Sequence, residues 1–296
     1  MLDMRPMSLY ESRDSTGEVS LAHMFTAPDD IFAESDTDVE DIAWLCCRGG
    51  WPRGVSVGGG ASLEIPLDYV RALCDEEVSR VDGVKRDPRL VRLVLKAYAR
   101  HISTTATYNT MRQYLAKRGD TLSKDAFNSY VAALRKIFMI DDLPSWPVAL
   151  RARSRIVRTP GRFFCGPPIA AAALGASPQS LVRDAYLLSA LFESLRVRDI
   201  RAYAEACGGT VRRYRDSTGL EADVVVELRG GRYALMEAGL GAASIEEGGA
   251  CLRKLVGRID AEAMGTPSFC AVVVPGGYAY RRRDGVCVIP ISCLAP

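Results

Sequence analysis

Four carboxylates in the carboxy-terminal half of the chain are spaced for metal-assisted chemistry on a phosphodiester. Glu221 and Asp223 stand in Gly219-Leu-Glu-Ala-Asp223, with Val224 to Glu227 behind them. Glu237 lies in Tyr233-Ala-Leu-Met-Glu237-Ala-Gly239, and Glu193 is on the long helix before them. Mg²⁺ takes oxygen ligands in near-octahedral geometry and usually needs one or two carboxylates plus phosphate oxygens. Asp223 and Glu237 are the candidates to bind Mg²⁺ or Mn²⁺, and Glu193, Asp223 and Glu237 form the expected catalytic set. Facing carboxylates on neighbouring strands lie about 5 Å apart at the backbone, close enough to share an ion that polarises a phosphate and acidifies a water. A lysine beside such a pair would steady the attacking hydroxide and the transition-state charge. The position two after Glu237 is Gly239, so hydrolysis is expected to be impaired. Without a cation the two carboxylates repel, and one should titrate above its usual value near 4. Taken singly, each acid also suits the solvent face of an alternating strand.

These residues need a scaffold that brings them together. Pro178 to Ala206 reads as one long helix with an apolar line through Leu181, Leu188, Phe192 and Leu195. Strands are expected over 210–216, 221–228, 233–238, 269–275 and 285–291, with a helix over 244–264. That order is the restriction-endonuclease-like core, a mixed sheet flanked by helices within an α/β (α+β) chain. Upstream, helical periodicity starts at Pro66 with Leu67, Val70, Leu73 and Cys74, then Leu90, Leu93, Val94, Ala97 and Tyr98. A third helix is expected over Tyr108 to Lys117. A fourth has Ser123 as its N-cap and Phe127, Tyr130, Val131, Leu134 and Phe138 on its apolar side. Phe138 to Ile140 and Trp146 to Val157 read as strands, which completes the order of a winged helix. Lys124, with Asn128, Ser129 and Arg135, would lie on the polar side of the recognition-position helix. The same architecture also serves as a protein docking module.

With 296 residues, 48% hydrophobic and 25% charged, the chain is long enough for two domains with cores. The expected division is 1–60, 61–165 and 166–296. No apolar run is long enough to span a bilayer, and Met1 is followed by Asp3 and Arg5, so a cytoplasmic location without a membrane partner is expected. The nine cysteines are scattered through apolar contexts and read as reduced thiols. His23 and His101 lack partners at ligand spacing, which argues against zinc and against a Ser-His-Asp triad.

The net charge is only +2, but it is unevenly spread, with seven acids and no base over Asp29 to Asp41. Arg151, Arg153 and Arg155 would point the same way along a strand and contact successive phosphates of DNA. They would equally protect a solvated edge strand from pairing, and both readings stand open. Arg215, with Arg212 and Arg213, is a further candidate contact to nucleic-acid backbone, and Arg281 to Arg283 form another basic cluster. Gly54 to Gly60 lacks the Lys-Ser or Lys-Thr of a phosphate loop and reads as a flexible connection, so no ATP site is expected in this chain.

Arg5-Pro-Met-Ser-Leu-Tyr-Glu11-Ser, Gly49-Gly-Trp-Pro52, Tyr130 to Asp141, Leu181 to Ala206, Tyr214-Arg215, Glu221-Ala-Asp223 and Met236-Glu237 resemble the carboxy-terminal half of a prokaryotic AAA-type ATPase family. In that family an ATPase module precedes domain of unknown function 4143. The resemblance implies a winged helix followed by a domain similar to the PD-(D/E)XK nucleases. It makes residues 1–60 a remnant of the ATPase module with an acidic linker, without its Walker A and Walker B regions. The partners it implies are DNA, an ATPase module or another protein. The family's Glu-x-Lys is Glu237-Ala-Gly239 here, and the acidic residue expected before Pro167 is Gly166. These observations favour a binding platform built on a degenerate nuclease-like domain. The alternatives are an active nuclease in which Lys254 replaces the missing lysine, and a pure protein-interaction module.

Overall fold

The computed structural model describes residues 4–150 and 156–296. The chain opens with β1 (Val19–Ser20), α1 (Leu21–Met24) and β2 (Ala33–Ser35). A run of helices follows: α2 (Val39–Arg48), α3 (Pro52–Val57), α4 (Ala61–Ala72), a π turn (Leu73–Glu77), α5 (Val78–Arg80), α6 (Pro88–Arg100), α7 (Tyr108–Ala116) and α8 (Lys124–Lys136). Next come α9 (Pro167–Leu174), α10 (Pro178–Arg183) and α11 (Ala185–Ala206), then β3 (Thr210–Arg215), β4 (Glu221–Glu227) and β5 (Tyr233–Ala238). The last part holds α12 (Ala242–Arg258), α13 (Ala261–Met264), β6 (Phe269–Val274), β7 (Gly277–Arg281), β8 (Val286–Pro290) and β9 (Leu294–Ala295). The fold is mixed α/β, and it divides into two compact units. One comprises Met1–Pro6, Ala43–Asp142 and Thr159–Leu195, and the other Met7–Ile42, Leu143–Arg158 and Arg196–Pro296. No helix among the described residues is long and apolar enough to cross a membrane.

The first unit is helical, and its caps follow from the sequence. Asp87 and Ser123 accept hydrogen bonds from Arg89 N and Ala126 N, which starts α6 and α8 where orphan N–H groups need partners. Val91, Val94, Leu95 and Tyr98 of α6 and Phe127, Tyr130, Val131 and Leu134 of α8 are buried. Phe138, expected on the same apolar side, is instead 69% exposed. Its φ of 59° is left-handed, and it ends the helix in the manner usually given to glycine. The first part of the flexible connection expected over Gly54 to Gly60 is instead helical, because it falls in α3, which Pro52 starts. Beyond α8, Ile140 bridges to Phe164, and the carboxylate of Asp142 accepts from Tyr98, Arg135 and, at 2.7 Å, Arg162. Arg5 pairs with Asp141.

The second unit is built on a seven-stranded sheet of order β2-β7-β8-β6-β5-β4-β3. The outer pairs β3·β4, β4·β5, β7·β8 and β2·β7 are antiparallel, while β5·β6 and β6·β8 are parallel. Leu252 and Leu255 of α12 pack with Tyr214, Val225, Leu235 and Val272 into the core under this sheet. The segment 146–157 was expected to pair as a wing with the helices. Its described residues form no named strand, and they belong to the second unit: Ser145 bridges Arg213, Leu150 bridges Ile259, and Ile156 bridges Asp216. Buried Trp146 explains this placement, since it joins the core around Tyr214 and Tyr233. Arg151, Arg153 and Arg155 lie outside the described residues. The helix expected from Pro178 to Ala206 is interrupted at Asp184, whose carboxylate accepts from Leu187 N and restarts the helix as α11. Strands β2 and β7 had no sequence signal strong enough to name them.

Candidate functional site

The acidic centre forms where β4 and β5 run side by side. The register Val224 to Met236 brings Asp223 opposite Glu237, so two carboxyls share one end of the strand pair. Arg196 of α11 enters the same place with its side chain fully buried, 0% exposed. Its Nη2 donates to Asp223 Oδ2 at 2.8 Å. Ala238 N donates to the same oxygen at 3.0 Å. Glu237 completes the set through a side-chain hydrogen bond with Asp223.

The electrostatics split the two acids. Burial raises the pKa of Glu237 well above the usual carboxylate range, and the charge of Asp223 with their shared hydrogen bond adds to the shift. Burial also pushes Asp223 upward, but the Arg196 charge, the Glu237 hydrogen bond and the Ala238 N–H hold it below its usual value. Asp223 is therefore the member of the pair that ionises first and Glu237 the one that holds its proton longer, as expected when two close carboxyls resist ionising together. Glu237 Oε1 and the Nε and Nη1 of Arg196 are buried without a hydrogen-bond partner among the described residues.

Two glycines shape the pocket walls. A Cβ at Gly248, in the middle of α12, would meet Glu237 Cβ and Val272 Cγ2 at 3.3 Å. Glycine in a helix interior costs about 1 kcal/mol relative to alanine, and here it lets the helix lie against the acid. A Cβ at Gly239 would meet Ser244 Cβ and Val272 Cγ1 at 3.2 Å, so the position expected for a lysine has no ready space for a side chain. Lys254, the expected substitute, is an exposed residue of α12. Leu252 and Leu255 on either side of it are buried in the core under the sheet.

These residues do not fit a divalent ion as they stand. One oxygen of Asp223 already accepts from two N–H donors, burial and the Asp223 charge make Glu237 resist ionisation, and a permanent guanidinium charge already balances Asp223. The expectation that Asp223 and Glu237 bind Mg²⁺ or Mn²⁺ meets this obstacle, which the sequence did not reveal. Among the described residues no group of three or more His, Cys, Asp and Glu side chains is arranged to hold a metal.

Two family models match the chain. One, the domain of unknown function DUF8612, covers residues 39–180. The other, the domain of unknown function DUF4143, covers residues 188–294. The second match spans the acidic centre and is the domain named by the sequence resemblance. No curated protein and no solved structure matches the chain.

The remaining expected residues are dispersed. Glu193 is a half-buried residue of α11 in the first unit, whereas Asp223, Glu237 and Arg196 belong to the second. Glu221 pairs with Arg215 at 3.1 Å and lies 3.8 Å from buried Arg213, with its own pKa raised by burial and by Asp223. Arg212 lies 3.6 Å from Glu227. Arg282 pairs with Glu246 and Asp284, and Arg281 with Asp29. Lys124 is exposed at the start of α8, and Arg135 is held by Asp142. Arg196 was missed, although its signal is present: it follows Leu188 and Phe192 at four-residue steps, which places a charge on the helix's apolar line.

Proposed function

We propose that the chain is a non-hydrolytic binding module, the non-ATPase part of a protein of the AAA-type ATPase family. In this reading its nuclease-like second unit carries one internal guanidinium in place of a metal and a lysine. The contact of Arg196 with Asp223 carries the proposal. A hydrolytic centre needs an ionised pair open to a metal and to the scissile phosphate, with donors aimed at the charge that develops. Here the cation is covalently tethered and buried, Glu237 resists ionisation, and Gly239 supplies no side-chain donor. The sheet then serves as a rigid body that presents loops and edges to a partner.

A protein is the favoured class of partner. The described arginines of the second unit near the acidic centre are engaged with its own carboxylates, which leaves little unpaired charge for a phosphate backbone. Residues 150–162 favour the second reading, DNA binding through this arginine-rich segment, because they hold five arginines and no acid. Plasmid nicking by the unmodified chain with Mn²⁺ tests the main proposal. No nicking above buffer is expected, and robust nicking that disappears in Asp223→Asn would overturn it. Filter binding to duplex DNA across a salt series separates the partner classes, since phosphate contacts give affinity that falls steeply with salt.

A further inference from the structure

A groove in the first unit lies among α4, the π turn, α6 and α9, with a volume of about 600 Å³. Its floor is apolar, formed by Leu67 and Val70 of α4 and Leu93 of α6. Ala172 and Ala173 of α9 face it with side chains too small to fill it. Pro66 inside α4 and the π turn after it loosen the regular helix at the same place. The rim is basic: Arg71, Arg89, Arg92 and Lys96 stand against Asp75. The three arginines touch Asp68, Asp120 and Asp75, but exposed pairs of this kind are weak and exchange partners readily. Lys96 makes no ion pair among the described residues.

The second unit carries the complementary surface. Phe32 is 83% exposed, and it lies within the acidic run from Asp29 to Asp41. It directly precedes β2, an edge strand held in antiparallel register on β7, so the phenyl group is presented from an ordered support. An isolated exposed aromatic needs no explanation, but one enclosed by Asp30, Glu34 and Asp36 has the chemistry of the groove in reverse.

We propose that this groove docks a second copy of the chain, with Phe32 of one copy on the apolar floor of the next and its flanking carboxylates against the basic rim. Such a contact is heterologous, because groove and phenyl segment are different surfaces. A docked pair keeps one free groove and one free phenyl segment, so association continues with concentration into rings or filaments. The proposal rests on the groove and on Phe32, and not on the Asp223 centre. Its failure would therefore leave the non-hydrolytic reading untouched.

Sedimentation velocity of the full chain over about 1 to 200 µM, the range of weak interfaces, reads the association directly. The weight-average mass should rise from 32.2 kDa with concentration and fall back as salt is added. Phe32→Ala and Lys96→Glu should each weaken association by about tenfold or more, the first through lost apolar burial and the second through charge reversal. Mixing the two variants is the discriminating arm. The Phe32→Ala chain keeps its groove and the Lys96→Glu chain keeps its phenyl segment, so the mixture should form a one-to-one dimer that grows no further. A fluorescent peptide spanning residues 27–37 should also bind the Phe32→Ala chain, and its Phe32→Ala version should not. A chain that stays monomeric throughout, variants that associate like the parent, or a mixture that forms no dimer would each overturn the proposal. Binding of an unrelated acidic peptide as tightly as the 27–37 peptide would overturn it too, and would assign the groove to another protein.

Discussion

Replacing Arg196 with methionine removes a full positive charge hydrogen-bonded to the Asp223 carboxylate, and the cost can be worked from the contacts. Breaking a buried pair by deleting one partner typically costs about 3–5 kcal/mol, because the other charge is left uncompensated. Two terms reduce that figure. Arg196 carries two buried donors, Nε and Nη1, without partners, and their removal relieves roughly 1–3 kcal/mol of desolvation. Asp223 in the variant can also take up a proton instead of staying charged. The net loss at neutral pH is expected at about 2–3 kcal/mol. Its pH dependence identifies the cause. In the parent chain Asp223 has a folded pKa below its unfolded value. That arrangement stabilises the chain above the unfolded value of about 4, and the stabilisation is lost as pH falls through the folded pKa. The variant lacks it, so the gap between the two chains should widen from acid to neutral pH. Urea denaturation midpoints at steps between the two conditions measure this gap. A gap that is the same at every pH, or a variant as stable as the parent at neutral pH, would refute the assignment of Arg196 as the counter-charge.

Glu237→Gln should alter the same profile with the opposite sign. The raised folded pKa of Glu237 gives stability that is fully present below the unfolded value of about 4 and is lost as pH rises from there through the folded pKa, so the amide variant should gain on the parent with rising pH by up to about 1.4 kcal/mol per unit in the urea assay. Gly239→Lys should destabilise the chain by about 1–3 kcal/mol through overpacking against Ser244 and Val272, and should restore no plasmid nicking. Asp142→Ala should cost about 3–5 kcal/mol in thermal or urea unfolding, since Tyr98, Arg135 and Arg162 all donate to one carboxylate; a loss below about 1 kcal/mol would show that these donors find other partners.

Much of the fold was legible because its elements obey local rules. The strands β4 to β6 and β8 carry apolar runs, and α8 has both a serine cap and a regular apolar side. The parts that were not legible depend on distant contacts. Trp146 draws its segment into the second unit's core, which no local pattern around Ser145 to Leu150 records. β2 is a short edge strand and β7 a short strand beside it that starts at Gly277, so their pairing is set by the sheet next to them. Phe138 satisfied the helical spacing but fell two residues beyond the helix, in a left-handed turn. At the candidate site, Asp223 and Glu237 were found by their strand spacing, and the division of their protonation followed from their closeness. The counter-ion was not found, because it comes from 27 residues earlier in the chain and was read only as part of a helix. Glu193 satisfied the order of a nuclease core, while the residue that closes the centre lies one turn further along the same helix.

The central claim is that the Asp223 and Glu237 centre is already neutralised from within. Calorimetric titration of the unmodified chain and of Arg196→Met with Mn²⁺ at neutral pH tests it most directly. The account predicts no saturable heat for the unmodified chain and a saturable site in the variant, where two carboxyls are left without a cation and the metal can displace the proton of Glu237. Tight, one-to-one Mn²⁺ binding by the unmodified chain, abolished by Asp223→Asn, would contradict it.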